Sequence, residues 1–179
     1  MVRLRTSEPQ PRERELTDFL GQPKRHRPHG EFAIGEHFRP QPALTHQPIL
    51  RARRDQPFFL YLPYTMIHVP VAASANFKGK SAEGLLGDSV EEIDWSVGQI
   101  MATLKELGLD ERTLVIFTSD NGPDRRPAPP FSGNKATNLE GGVREPCLMR
   151  WPGRIPAGTT CDRIAGNIDV LPTLAKVIG

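Results

Sequence analysis

The sequence lacks several features that would assign it to a class at once. No apolar run approaches the roughly 20 residues that a helix needs to cross a bilayer, so no membrane span is predicted. The only cysteines, Cys147 and Cys161, match no zinc motif and do not indicate a disulfide framework. The net charge of +2 is too small to indicate a nucleic-acid partner. The first residues are charged and contain no apolar segment, so no signal peptide is predicted.

Residues 1–54 also lack the apolar periodicity of a folded domain. Prolines and arginines recur throughout this segment, and it contains four of the five histidines of the chain. Such a composition does not bury enough apolar surface to offset the entropy lost on ordering the chain. We therefore predict that residues 1–54 form a Pro/Arg-rich, mostly disordered segment, and that residues 55–179 contain the folded part.

Three apolar runs in the second part predict β-strands. Pro57–Pro63 and Thr113–Thr118 are short and almost continuously apolar, which is typical of strands buried on both faces of a parallel sheet. Pro146–Trp151 predicts a further short strand. A helical pattern separates the first two runs, so the order predicts a strand–helix–strand unit with a right-handed crossover. The predicted fold class is α/β.

Apolar periodicity and capping residues predict two helices. Apolar side chains recur at steps of three and four residues from Val90 to Leu107, which indicates an amphipathic helix. We expect Asp88 or Ser89 to cap its N-terminus and Gly108 to follow its C-terminus. A shorter helix is expected to open at Asp169.

Polar residues follow the predicted strands where those strands end. Asp120 and Asn121 follow the second strand in the stretch VIFTSDNGP, and His68 follows the first strand. In open α/β sheets, ligands bind beyond the carboxyl ends of the strands. Two parallel strands would bring these side chains to the same side of the sheet. Lys135 lies in the long loop after Asp120, and this loop is long enough to fold back over it.

These side chains suit the chemistry of an anionic ester. Carboxylate and amide oxygens, as in Asp120 and Asn121, are ligands for Ca²⁺ or Mg²⁺, and such an ion stabilises charge on an ester oxygen. Lys135 offers a positive charge to a sulfate or phosphate group. His68 can donate a proton to a leaving group near neutral pH.

Each of these residues also has a structural alternative. Asn121 and Gly122 form the pair most typical of a hairpin turn, although the residues that follow do not resemble a return strand. His68 lies between apolar residues, as many structural histidines do, and Lys135 lies in a polar loop, as many solvated lysines do. The Gly141–Gly142 pair is expected to let the backbone approach another group closely.

Four blocks of the sequence, read in order, resemble the sulfatases, and most closely the arylsulfatases of the alkaline-phosphatase superfamily. The blocks are PFFLYLPYTMIHVP, GDSVEEIDWSVGQIMATLKELGLDERTLVIFTSDNGP, KATNLEGGVREPCLMRWPGRIPAG and IDVLPTLAKVIG. The resemblance covers about residues 55–179. It implies a mostly parallel central sheet flanked by helices, hydrolysis of sulfate esters and one calcium ion. The implied partner is a sulfated small molecule or a sulfated glycan, and members of this family are commonly exported or lysosomal.

The resemblance also implies roles for individual residues. Asp120 and Asn121 match the later calcium ligands of the family. His68, in the H-x-P block, matches a residue that contacts sulfate and assists the leaving group. Lys135 matches the sulfate-binding lysine, although Asn134 and Ala136 stand where the family has glycines.

The family's nucleophile has no counterpart in this sequence. It is a formylglycine made from the cysteine or serine of a C/S-x-P-x-R motif, and neither Cys147 nor Cys161 lies in such a motif. The early aspartate ligands and the first lysine–histidine block are absent as well. We therefore expect an internal piece of a sulfatase catalytic domain. It would carry an incomplete sheet, exposed apolar surface and half a metal site, and it would be inactive alone.

Two alternatives remain open at this point. One is a phosphodiesterase-like or phosphomutase-like metalloenzyme of the same superfamily, which would hold two transition-metal ions with several His and Asp ligands. Of the histidines, only His68 lies in the relevant region, which argues against it. The other alternative is a non-enzymatic binding module or an inactive remnant.

Overall fold

The computed structural model describes residues 33–34, 42–124, 126 and 128–178. Contacts within the chain divide it into two compact units. Among the described residues, the helical unit comprises 33–34, 42–117 and 147–158, and the loop unit comprises 118–124, 126, 128–146 and 159–178. None of the helices in the described ranges is both long and apolar enough to span a membrane.

The helical unit contains short strands around two helices. Its elements are β1 (Ala33–Ile34), α1 (Pro42–Ala52), β2 (Leu60–Tyr61), α2 (Gly84–Glu106), a 3₁₀ turn (Asp110–Arg112), β3 (Val115–Thr118) and β4 (Cys147–Arg150). β1 and β2 are parallel, with Ala33 opposite Leu60 and Ile34 opposite Tyr61. β3 and β4 form a second two-stranded sheet. The predicted strand–helix–strand order is thus present, but β2 and β3 lie in different ladders.

Helix α1 packs on α2 and forms the apolar core of the helical unit. The buried cluster consists of Leu50, Ile100, Leu104 and Leu109. Arg51 also forms a bidentate pair with Glu106 through two hydrogen bonds of 2.6 and 2.7 Å, and an exposed ion pair stabilises a fold less than full burial of a leucine side chain does. Burial of Leu50, which is 1% exposed, therefore accounts for more of the attachment of α1.

The helix α1 corrects part of one prediction. Residues 42–52 were expected to belong to the disordered segment, yet they form a helix. A helix with few apolar residues is stable here because Leu50 packs against α2. This is a tertiary contact, which the local composition does not reveal. Of the remaining predicted segment, residues 1–32 and 35–41 lie outside the described residues.

The end of α2 follows the prediction, whereas its start does not. Gly108 has φ +66°, its N–H donates to Lys105 O at 3.1 Å, and Leu109 N–H donates to Leu104 O at 2.9 Å. These bonds form a Schellman motif. The helix begins at Gly84, so Asp88 and Ser89 lie within the helix and do not cap it. Asp88 accepts hydrogen bonds from the loop that precedes α2.

The strands are less buried than their sequence predicts. Tyr61 on β2 is 54% exposed, and Leu148 on β4 is 63% exposed. Burial on both faces is therefore wrong for the described chain. A strand in a two-stranded ladder has one hydrogen-bonded neighbour, and few side chains cover its faces. The exposed apolar surface agrees with the expectation of an incomplete sheet.

The loop unit contains one short helix and one C-terminal helix. Its elements are α3 (Glu140–Val143), a 3₁₀ turn (Asn167–Asp169) and α4 (Val170–Ile178). Asp169 accepts a hydrogen bond from Gly166 N–H at 2.8 Å, as expected of a residue at the start of a helix. Pro172 lies in the first turn of α4, where a proline is tolerated.

Replacing Leu50 tests whether α1 is part of the folded core. Leu50→Ala should lower the free energy of unfolding by about 2–5 kcal/mol, because a buried leucine is lost and a cavity remains. Leu148→Ala, at an exposed apolar site on β4, should change it by about 0.5 kcal/mol or less. Urea denaturation measures both variants. Equal effects would contradict the packing of α1 on α2.

The pH dependence of the loop before α2 follows from Asp88. Hydrogen bonds from the N–H groups of Ser81 and Gly79 hold the pKa of Asp88 below its ordinary value. A lowered pKa in the folded state means that this stabilisation is present above the unfolded pKa of about 3.9 and is lost as the pH falls through the folded pKa. The amides of residues 79–81 should therefore stay protected at pH 5 and lose protection only below about pH 4.

Amide exchange measured as a function of pH checks this expectation. In Asp88→Asn the protection of these amides should be weaker at pH 5, and it should not change further as the pH is lowered towards 4. Asp94→Asn, at an exposed position of the same helix, should behave like the unchanged chain. Loss of protection already between pH 5 and 6 in the unchanged chain would show that the Asp88 interaction does not control the loop.

Candidate active site

The segment after β3 forms a tight turn that presents Asp120 and Asn121. Ser119 Oγ donates to Asn121 O at 3.1 Å, and Asn167 Nδ2 donates to Ser119 O at 3.1 Å. Asn121 Nδ2 donates to Asp120 Oδ1 at 2.5 Å. The second Asp120 oxygen and the amide oxygen of Asn121 are outside this hydrogen bond, so both can serve a cation that prefers oxygen ligands.

Close backbone packing holds this turn against the α3 segment. Gly122 N–H donates to Gly142 O at 3.0 Å. A Cβ atom at Gly122 would lie 2.0 Å from Gly141 O, and one at Gly142 would lie 2.4 Å from Thr137 O. These neighbours are backbone atoms, which cannot move aside as a flexible side chain does. The expectation that the Gly141–Gly142 pair allows a close approach is confirmed, and Gly122 is constrained for the same reason.

Lys135 is attached to the same turn through its backbone. Lys135 N–H donates to Pro123 O at 2.9 Å, and Gly141 N–H donates to Ser132 O at 2.8 Å. The loop that carries Lys135 thus returns to the Asp120–Pro123 segment. Next to Lys135, Ala136 has φ +68°, a backbone conformation that costs an L-residue roughly 1–2 kcal/mol and that glycine adopts more easily. The catalytic or binding role of Lys135 stays a prediction.

Hydrogen bonds also fix the backbone and the ring of His68. His68 N–H donates to Thr65 O at 3.0 Å, and its Nδ1 lies 2.8 Å from Val69 O. Because a carbonyl oxygen only accepts, Nδ1 carries the hydrogen, and Nε2 is left for a ligand. The side chain is exposed. His68 belongs to the helical unit and Asp120 to the loop unit, so their predicted convergence stays a prediction.

The donor atoms fit calcium in type but are few in number. Ca²⁺ takes about six to eight oxygen ligands, and the turn offers oxygens of Asp120 and Asn121. Within the described residues, no group of three or more His, Cys, Asp or Glu side chains could hold a metal ion. These residues therefore fit a part of a calcium shell.

Sequence reasoning missed one pair of buried acids. Asp88 and Glu92 on α2 are 2% and 1% exposed. Both accept hydrogen bonds from backbone N–H groups of the loop that contains His68. The only sequence signal was the spacing of four residues, which places both side chains on one face of a helix.

Comparison with known proteins identifies the family. The sulfatase family profile matches residues 43–179, so the match starts before the predicted boundary and includes most of α1. The chain is 43% identical to rat steryl-sulfatase over 141 residues, which is 73% of this chain and 24% of that protein. It is 46% identical to human arylsulfatase A over 133 residues, which is 71% of this chain and 26% of that protein.

A solved structure supports the same assignment. A Bacteroides thetaiotaomicron protein from the metabolism of multiple glycosaminoglycans is 31% identical with a TM-score of 0.71, and the match covers 76% of this chain and 32% of that one. The alkaline-phosphatase-like α/β architecture is therefore confirmed. The chain belongs to the sulfatase family, and it spans about a quarter of the length of the curated relatives it matches.

Gly122 offers a direct test of how Lys135 is held. Gly122→Ala forces a Cβ atom onto a backbone carbonyl, and overlap of this kind costs about 1–3 kcal/mol. The amides of Lys135 and Gly141 should then exchange with solvent at least about tenfold faster. Amide hydrogen exchange followed by NMR measures this change.

Gly98→Ala is the matched control, since no atom lies within 4 Å of a Cβ at this position of α2. It should leave the Lys135 amide unchanged and stabilise α2 by about 0.5–1 kcal/mol. If Gly122→Ala leaves the exchange of the Lys135 amide as it was, the proposed attachment of the loop is wrong.

Proposed function

We propose that this chain takes part in the hydrolysis of sulfate esters, as a portion of a sulfatase catalytic domain. Membership of the sulfatase family supports the reaction class. The observation that carries the proposal is the backbone attachment of the Lys135 loop to the Asp120–Pro123 turn. The attachment joins the backbone segments that carry Lys135, Asp120 and Asn121, and an ammonium group and two oxygen ligands on joined segments would suit a sulfate group bound beside a cation.

Each site residue has a separate role in the proposed reaction. Asp120 and Asn121 hold part of a calcium ion's shell, and the ion, when bound, neutralises charge on a sulfate oxygen. Lys135 binds another sulfate oxygen through its ammonium group. In its imidazolium form, with Nδ1–H held on Val69 O, His68 would give the proton of Nε2–H to the departing alcohol or phenol oxygen and be left as the neutral Nδ1–H tautomer.

The nucleophile is the part of the reaction that these residues do not supply. The sequence contains no C/S-x-P-x-R motif, so no formylglycine can form from it in the manner of the family. Without a covalent nucleophile, binding and leaving-group protonation alone give little turnover. We therefore propose that the chain alone binds calcium and sulfate weakly and does not hydrolyse esters. The substrate class is a sulfated small molecule or a sulfated glycan.

Calcium titration calorimetry tests the metal part of the proposal. The chain should bind about one calcium ion with a dissociation constant in the millimolar range, because few ligands and a weak net charge give weak sites. Asp120→Asn should abolish the binding heat by removing the carboxylate ligand. Asp162→Asn, an equally conservative change at an exposed aspartate, should leave it unchanged.

The outcomes separate the alternatives. Absence of calcium binding at millimolar concentration would contradict the metal role and favour a non-enzymatic remnant. Two bound zinc ions would favour the phosphodiesterase-like branch of the superfamily. With an aryl sulfate and calcium, the chain should show no hydrolysis above buffer, and robust calcium-dependent turnover would contradict the requirement for a formylglycine.

A further inference from the structure

A row of buried polar side chains lies on α2 where an amphipathic helix normally buries apolar ones. This polar stripe consists of Asp88, Ser89, Glu92 and Ser96, each at most 2% exposed. Their spacing places them on one side of the helix. Burying a carboxylate or hydroxyl costs free energy unless its hydrogen bonds are made, so the partners of the stripe indicate what it is for.

Apart from Leu85 O within α2, to which Ser89 Oγ also donates, the partners described below lie in a single segment, residues 62–83 between β2 and α2, which we name the His68 loop. Tyr64 Oη pairs with Ser96 Oγ at 2.9 Å, four residues before His68. Ser89 Oγ donates to Ala72 O at 2.9 Å, four residues after it. Ser74 N–H donates to Glu92 Oε2 at 2.7 Å. The polar stripe is therefore hydrogen-bonded to the loop on both sides of His68.

Asp88 holds the far end of the same loop. It accepts hydrogen bonds from the N–H groups of Gly79, Lys80 and Ser81 at 2.7, 3.0 and 2.8 Å. Between Tyr64 and Ser74 the loop also contacts itself, because Ala72 N–H donates to Met66 O at 3.4 Å. Burial raises the pKa of the Tyr64 phenol, so its hydroxyl stays protonated and keeps its bond to Ser96 at neutral pH.

We propose that Glu92 and Ser96 are positioning residues for His68: by binding Ser74 N–H and Tyr64 Oη they fix the loop so that the His68 ring keeps Nδ1 on Val69 O and Nε2 outward. If these positions served stability alone, apolar side chains would stabilise the fold more, because removing a charged group from water costs free energy. A catalytic consequence of this ring orientation rests on the proposed sulfatase role of His68. The claim that Glu92 and Ser96 hold the ring does not depend on that role.

Replacement of Glu92 tests the proposal in the chain as it exists. Glu92→Leu keeps the volume and removes the acceptor of Ser74 N–H, so the amides of residues 64–74 should exchange about tenfold faster or more. The ¹⁵N signals of the His68 ring should shift from the Nδ1–H form towards an average of the two tautomers. Glu92→Gln retains an acceptor oxygen and should restore most of both signals, a rescue that a change in overall stability does not explain.

Glu91→Gln, at the neighbouring exposed acid, is the matched control and should change neither signal. Should Glu92→Leu not fold, Ser96→Ala decides the matter, because it removes only a hydroxyl and should still shift the His68 ring signals. Unchanged loop exchange together with unchanged ring signals in a folded variant would overturn the proposal.

Sodium sulfate separates this inference from the proposed function. If sulfate shifts the His68 ring signals in the unchanged chain and fails to do so in Glu92→Leu, the positioning role extends to ligand binding. If sulfate has no effect on either protein while the ring signals still depend on Glu92, the positioning role stands and the sulfate-binding role of His68 falls.

Discussion

The described structure depends on the buried side of α2. The C-terminal half of this side carries Ile100 and Leu104 and buries Leu50 of α1, which forms the apolar core of the helical unit. The N-terminal half carries the polar stripe, whose hydrogen bonds hold the loop that contains His68. Apolar burial supplies most of the stabilisation, and the polar contacts select one conformation of an otherwise irregular loop. Stability and the placement of a candidate catalytic side chain thus depend on the same helix.

In the loop unit, contacts between backbone atoms hold the segments that carry the candidate site residues. Gly122 and Gly142 let two chain segments approach more closely than any side chain would permit, and the Lys135 loop is tied to the same turn. Glycine carries an entropic cost on folding, and here the cost is offset by hydrogen bonds between the segments. The result is a compact framework that carries Asp120, Asn121 and Lys135.

Much of this organisation could be predicted from sequence, for identifiable reasons. The period of the apolar residues between Val90 and Leu107 indicated α2, and the turn chemistry of Gly108 indicated its end. The α1 helix could not be predicted, since Leu50 is buried by a distant surface on α2. The start of α2 was misplaced because Asp88 resembles a capping residue, whereas its carboxylate binds a loop seven to nine residues earlier. Strand burial was overestimated because it depends on neighbouring strands and covering layers, which a short apolar run does not specify.

The central claim is that the Asp120–Asn121 turn and the Lys135 loop form one ligand-binding framework. Titration of the ¹⁵N-labelled chain with calcium, followed by NMR, tests it most directly. The account predicts that the amides of residues 119–123 and of Lys135 shift together and follow one binding curve, because their backbones are hydrogen-bonded. Shifts confined to one of the two segments, or two different binding curves, would contradict it.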